Sequence, residues 1–147
     1  MNEQLDYKDI AIIEELKKDS KLSEQKVAKK TGIPMTTVHN RIAKLRSSGV
    51  IEKFTIRLDY AKIGKPIAAF VLVKAINQAD QKALLGQVSK IPNVYEVAMI
   101  TGEFDILFKA RVASMEELQD VVVGGLRKQK TVGETQTMVC YELFEKV

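Results

Sequence analysis

Apolar residues in the first fifty positions recur at helical spacing, and after Gly49 the pattern shifts towards alternation. Leu5, Ile12 or Ile13, and Leu16 predict a helix over residues 5–18, with Asp6 placed to cap it. Ser23 marks the start of a second helix, although Lys26 stands where a reciprocal capping box would need Glu or Gln. Val27 and Ala28 form its inner side, and Gly32 ends it as a left-handed C-cap would. A third helix is expected from about Pro34 to Ser47 or Ser48, with Val38, Ile42 and Leu45 in one apolar stripe. Val50, Ile51, Phe54, Ile56 and Leu58 then roughly alternate with Lys53, Thr55 and Arg57, which predicts a short strand or wing. Residues 59–64 read as a turn and as the domain boundary, dividing the chain into 1–60 and 61–147.

The second half predicts strand, helix, strand, strand, helix, strand. Residues 67–76 are apolar and β-branched enough for a buried strand. Residues 80–91 are helical through Leu84, Leu85, Val88 and Ile91, and Pro92-Asn93 ends that helix. Strands follow at 94–101 and 104–112, joined by a tight turn at Gly102-Glu103. Ser114 caps a helix expected to run to Lys128, and the last strand spans 132–144. The fold class is therefore α+β: an N-terminal winged helix-turn-helix followed by a βαββαβ, ferredoxin-like domain. Gly124-Gly125 lies inside the last helical pattern, which implies either close backbone packing at an interface or a local break in the helix.

Charge changes the picture of the first half. The whole chain carries +4, but residues 17–57 hold eleven Lys and Arg against three Asp and Glu, a net of +8. Residues 1–16 carry −4 and residues 58–147 are neutral, so the positive charge sits where a polyanion would bind. With Val38, Ile42 and Leu45 inward, the third helix turns Met35, Thr36, Thr37, His39, Asn40 and Lys44 outward. Asn40 suits a bidentate contact with adenine, and the methyl of Thr36 or Thr37 suits that of thymine. Arg41, Lys44 and Arg46 are candidates for phosphate, and Lys21, Lys26, Lys29 and Lys30 for the flanking backbone. Double-stranded DNA is the expected partner.

Other chemistries find little support. His39 is the only histidine and Cys140 the only cysteine, so no zinc set of the usual kinds can be assembled and no internal disulfide can form. His39 reads as a solvent or phosphate contact, and Cys140 as a small core residue. There is no Gly-rich phosphate loop and no nucleophile–base pair that spacing singles out. No metal, cofactor or enzymatic activity is expected. No apolar run approaches the length of a bilayer span, and the polar N-terminus is unlike a secretory leader, so a cytoplasmic location is expected.

Several elements in register across both halves resemble the Lrp/AsnC family of transcription regulators. They include Leu5-Asp6, Asp9, Ile12-Ile13, Leu22-Ser23, Val27-Ala28, Gly32-Ile33, Thr37-Val38, Arg41-Ile42, Leu45 and Gly49-Val50-Ile51. In the second half the resemblance centres on Thr101-Gly102-Glu103-Phe104-Asp105 between two strands. It implies a C-terminal domain of the RAM or ACT-like kind that dimerises through its sheet. Such dimers assemble into tetramers, octamers or larger rings, with an amino acid or related small molecule bound between dimers. The family's Gly-x-x-Asp ligand loop maps onto Gly102, Glu103, Phe104 and Asp105, with further contacts from Thr135 and Thr137. Backbone N–H groups at 102–104 suit a carboxylate and Asp105 suits an ammonium. The alternative for Asp105 is a carboxylate that stabilises the turn.

Two positions depart from the family pattern. Pro34 stands where Ser or Thr usually caps the recognition helix, and Gly124-Gly125 is unusual in the second domain's last helix. The expected function is a sequence-specific DNA-binding regulator modulated by an amino acid. The alternative is an architectural DNA-binding protein whose C-terminal domain only oligomerises.

Overall fold

The computed structural model describes residues 5–76 and 80–144, so the outer ends of the two expected domains lie outside the described residues. The polypeptide divides into two compact units between Arg57 and Leu58, three residues before the expected boundary. Each is described by itself.

The first unit is trihelical. Helix α1 spans Tyr7–Lys18, α2 Glu24–Thr31 and α3 Met35–Ser47. Asp6 caps α1: its Oδ1 accepts from the backbone N–H of Lys8 and Asp9, and Asp9 Oδ2 accepts in return from the Asp6 N–H. Ser23 caps α2 through the N–H of Lys26, and Gly32 closes it in the left-handed region at φ 70°. Ile12, Leu16, Val27, Ile33 and Val38 form the core, with Ile42 and Ile51 packed against it. Each such side chain removed from water contributes roughly 1.5–3 kcal/mol.

The expected strand after Gly49 is not formed. Ile51 N–H donates to the Leu45 carbonyl and seals the end of α3, but residues 51–58 make no ladder. Phe54, Ile56 and Leu58 are exposed. Alternation identifies a segment with one apolar side; a strand also needs a neighbouring backbone to bond to, and among the described residues of this unit none is offered.

The second unit is a four-stranded antiparallel sheet in the order β2-β3-β1-β4, with β1 at Ile67–Ala75, β2 at Val94–Met99, β3 at Ile106–Val112 and β4 at Val132–Val139. This is the βαββαβ arrangement. Ala69, Val71 and Val73 of β1 pair with Ala110, Phe108 and Ile106 of β3 and point into a core closed by Leu84, Val88, Leu118, Val121, Val122 and Leu126. The opposite sheet face carries Phe70, Leu72 and Leu107, with Lys74 opposite Glu134 and Lys109 opposite Glu96.

Several boundaries fall short of expectation. Helix α4 is Gln81–Val88, capped by Asp80, and the chain leaves the following turn through Asn93 at φ 68°. β4 ends at Val139, so Cys140 lies just past it, half-buried, with its N–H on the Ala68 carbonyl.

The largest difference concerns the last helix. Helix α5 covers only Met115–Gln119 and then passes into a π-helical segment, Asp120–Leu126. The Arg127 N–H reaches back five residues to the Val122 carbonyl, which is the π pattern. Both alternatives for the paired glycines therefore hold in part. The helix changes its winding, and a Cβ on Gly125 would stand 2.9 Å from Ile91 Cγ2, so the close packing lies within the fold. Gly124 has open space around it.

Candidate nucleic-acid interface and ligand loop

Helix α3 is the candidate reading element, and its two sides are physically distinct. Val38 and Leu45 are buried, whereas Met35, Thr36, His39, Asn40, Lys44 and Arg46 are exposed. Thr37, expected outward, is half-buried beside Val38. Pro34 occupies the N-cap position, outside the helix, and makes no side-chain cap. Its fixed φ and missing N–H suit the entry to a helix, but the first turn keeps donors that a Ser or Thr would have satisfied. Lys21 and Lys29 are exposed on the segment leading into α2 and on α2.

Three of the expected phosphate or DNA-backbone contacts, Arg41, His39 and Lys30, meet carboxylates of the same unit. Arg41 Nη1 donates to Asp6 Oδ1 at 2.7 Å and to Asp9 Oδ1 at 2.8 Å. Its side chain is only 27% exposed, so it is a bridge from α3 to the start of α1. The backbone N–H of Asp9 and the Arg41 guanidinium hold the Asp6 carboxyl below its ordinary range. His39 Nδ1 lies 3.0 Å from Glu24 at the first turn of α2. Lys30 of α2 likewise meets Glu15 of α1 at 3.1 Å, and Lys18 and Lys30 together lower the Glu15 pKa. Part of the basic run thus ties the three helices together. Spacing alone could not separate these cations from outward ones, because their partners are up to 35 residues away in sequence.

In the second unit, residues 100–105 form the connection between β2 and β3. Ile100 N–H donates to the Asp105 carbonyl, and Asp105 N–H donates to the Val73 carbonyl. Gly102 adopts φ 122°, and Gly102 and Glu103 are exposed while Phe104 is half-buried. Both oxygens of the Asp105 carboxylate are engaged: Oδ2 accepts from the Ala75 N–H and Oδ1 from Gln81 Nε2, each at 2.7 Å. The turn-stabilising role is therefore present. Each oxygen still has a lone pair directed elsewhere.

Thr135 pairs with Val73, on whose other side Asp105 sits, so Thr135 and Asp105 flank one end of β1. Two strand spacings, about 10 Å, separate them. Thr135 Oγ1 accepts from Arg127 Nε and Nη2 at 3.3 Å. Thr137 lies two residues further, in an open groove of about 360 Å³ shared with Met115, Leu118, Val122 and Arg127. None of Gly102–Asp105 lines that groove. Gln81 and Arg127 belong to this neighbourhood and carried no signal in the sequence, since neither falls in the loop motif. Among the described residues no three His, Cys, Asp or Glu side chains converge as a metal set, and no helix is long and apolar enough to cross a membrane.

A trihelical unit with a polar, basic third helix, followed by a βαββαβ unit with a positive-φ loop at the sheet end, is the architecture of a helix-turn-helix transcriptional regulator. Residues 5–52 match the winged helix-turn-helix DNA-binding family, and residues 68–145 match the Lrp/AsnC ligand binding domain. The chain belongs to the Lrp/AsnC family of transcriptional regulators. It is 46% identical, over 96% of its length and 95% of the relative's, to an HTH-type transcriptional regulator of Pyrococcus furiosus. Bacillus subtilis LrpC has the same architecture, with a TM-score of 0.85, 27% identity, and coverage of 98% of this chain and 99% of that one. A transcriptional regulator from Neisseria meningitidis in complex with L-Met superposes with a TM-score of 0.89 at 21% identity, covering 97% and 94% of the two chains.

Proposed function

We propose that this transcriptional regulator acts in the cytoplasm as a symmetric oligomer. Residues 1–60 read specific DNA sequences, and residues 61–147 assemble the oligomer and bind an amino acid. The observation that carries the reading is the polar face of α3, where Thr36 and Asn40 are exposed opposite buried Val38 and Leu45. Arg46 stands beside these base-reading candidates as a phosphate contact, and Lys21, Lys29 and Lys44 support the flanking backbone. Two copies related by a two-fold axis present two such helices, and half-sites about 34 Å apart follow.

The open sheet face supports self-association. Its centre is apolar, through Phe70, Leu72 and Leu107, and its margin carries both signs of charge. For the ligand, the neisserial regulator with this fold was obtained with L-Met, and an amino acid is the class assigned here. The backbone N–H groups of Gly102, Glu103 and Phe104 take the carboxylate, the free lone pairs of Asp105 take the ammonium, and Thr135 and Thr137 contribute at the adjoining strand.

Selection of duplexes from a random pool tests the DNA half: enrichment of pseudo-palindromic sites is expected, and uniform binding would favour an architectural role. Calorimetry against the twenty amino acids tests the ligand half. Heat with at least one of them, lost in Asp105→Ala, is expected; no heat with any would reduce the second domain to assembly.

A further inference from the structure

We infer that Arg41, clamped between Asp6 and Asp9, is a positioning residue that sets the rotation of the reading helix and does not itself contact phosphate. The inference rests on DNA binding by α3. Arg41 lies three residues after Val38 and four before Leu45, on the flank of the buried stripe and next in sequence to Asn40. One nitrogen, Nη1, gives hydrogen bonds to both carboxylates, at 2.7 and 2.8 Å. Those carboxylates are themselves fixed. Asp6 Oδ1 also accepts from two backbone N–H groups of the first turn of α1, and Asp9 Oδ2 accepts from the Asp6 N–H. Arg41 is thus tied to the capped first turn of α1, with Asp9 only 13% exposed.

Geometry explains why α3 benefits from such a bolt. Only Val38 and Leu45 of its thirteen residues are fully buried, which is a narrow apolar seam to set a rotation. Turning the helix by about 20° would carry the tip of Asn40 through about 2 Å at the side-chain radius. A base-edge hydrogen bond tolerates about 0.5 Å. A link on the flank of the seam, pulling towards α1, removes that freedom.

Charge makes the inference unusually testable. The cluster of one guanidinium and two carboxylates carries a net −1 beside a helix meant for a polyanion. On Coulomb's law alone, neutralising either aspartate should tighten DNA binding. Positioning predicts the opposite sign.

The test uses the full chain and two duplexes of about 30 bp, long enough for two half-sites: one of mixed sequence, one selected by the wild-type protein. Asp9→Asn is expected to lose about tenfold in affinity for the selected duplex, while its binding of the mixed duplex, which offers no particular base contact to misplace, is equal to wild type or tighter. Arg41→Ala is expected to weaken binding with an unchanged slope of log affinity against log salt, and Arg41→Lys to recover part of the loss. Asp6→Asn is the variant that preserves folding, because Asn caps a helix as well as Asp does, and it is expected to weaken binding in the same direction. Circular dichroism at the assay temperature confirms the helices in each variant.

Tighter or equal binding of the selected duplex by Asp9→Asn and Asp6→Asn overturns the inference. So does a fall in the salt slope of about 0.9 in Arg41→Ala, the mark of a lost phosphate contact. If no preferred duplex emerges from selection, sequence-specific reading fails. The salt slope of Arg41→Ala on the mixed duplex still decides whether Arg41 contacts phosphate.

Discussion

Helix α3 and the helix that begins at Met115 are of similar length and are held in place by different forces. α3 runs thirteen residues in regular α geometry, buries two of them, and is tied to α1 and α2 by Arg41 and His39. The Met115–Leu126 stretch buries Leu118, Val121, Val122 and Leu126, and it gives up α geometry halfway to do so. A helix that must keep a polar face for a ligand has little apolar surface for docking, so polar links between helices orient it: the Arg41 ion pairs and the His39–Glu24 hydrogen bond. A helix whose task is to cover a sheet is oriented by packing, and the packing can override its winding.

The largest effect that would sharpen this contrast is on the packed side. Leu126→Ala should cost about 2–5 kcal/mol, as deletion of a fully buried core side chain does, read as a lower melting temperature of the second unit. Gly125→Ala should cost about 1–3 kcal/mol, the usual cost of overpacking, because its Cβ would meet Ile91. Ile91→Ala, which removes Cγ2, should take away that contact, so the double variant should cost less than the sum of the two single ones. Gly124→Ala has open space and should instead stabilise by about 0.5–1 kcal/mol. If both glycines respond alike, backbone propensity rather than packing governs the segment.

On the polar side the expected changes appear in binding. Asn40→Ala should lose about 1–3 kcal/mol of discrimination at one base pair, with the salt slope nearly intact. Lys29→Ala should weaken all duplexes together and lower that slope by about one unit. Identical behaviour of the two would show that the base-facing and phosphate-facing sides are wrongly divided.

The smallest effect is an acid dependence. The folded pKa values of Asp6 and Glu15 are depressed, by the Asp9 N–H with Arg41 and by Lys18 with Lys30. Groups of this sign add stability above their unfolded pKa, near pH 4, and lose it as pH falls through the lowered folded values. Thermal melts of the first unit should therefore decline below about pH 4, and Asp6→Asn should flatten the decline.

Much of the fold was legible because its signals are local. Asp6, Ser23 and Gly32 act within four residues of themselves, and each stands at the predicted cap. The alternation of residues 106–112 is a period-two pattern, and β3 buries alternate residues throughout. The site was legible only in outline. The Gly102–Asp105 loop could be located by its motif, but not the two hydrogen bonds that occupy Asp105, whose partners come from β1 and α4. The type of Arg41 and its place on α3 fit a phosphate ligand, and its two carboxylate partners lie too far away in sequence to be read from spacing.

By itself, then, the order of residues determined most of the element types, the caps, the basic region and the family. These depend on neighbours within a few positions or on motifs that survive without coordinates. Only the tertiary structure decided which cations face outward, that residues 51–58 form no ladder within their own unit, and that the last helix changes to π winding at Asp120. Those outcomes depend on what a side chain or backbone group meets across the fold: carboxylates 32 and 35 residues away for Arg41, and the Ile91 side chain for Gly125.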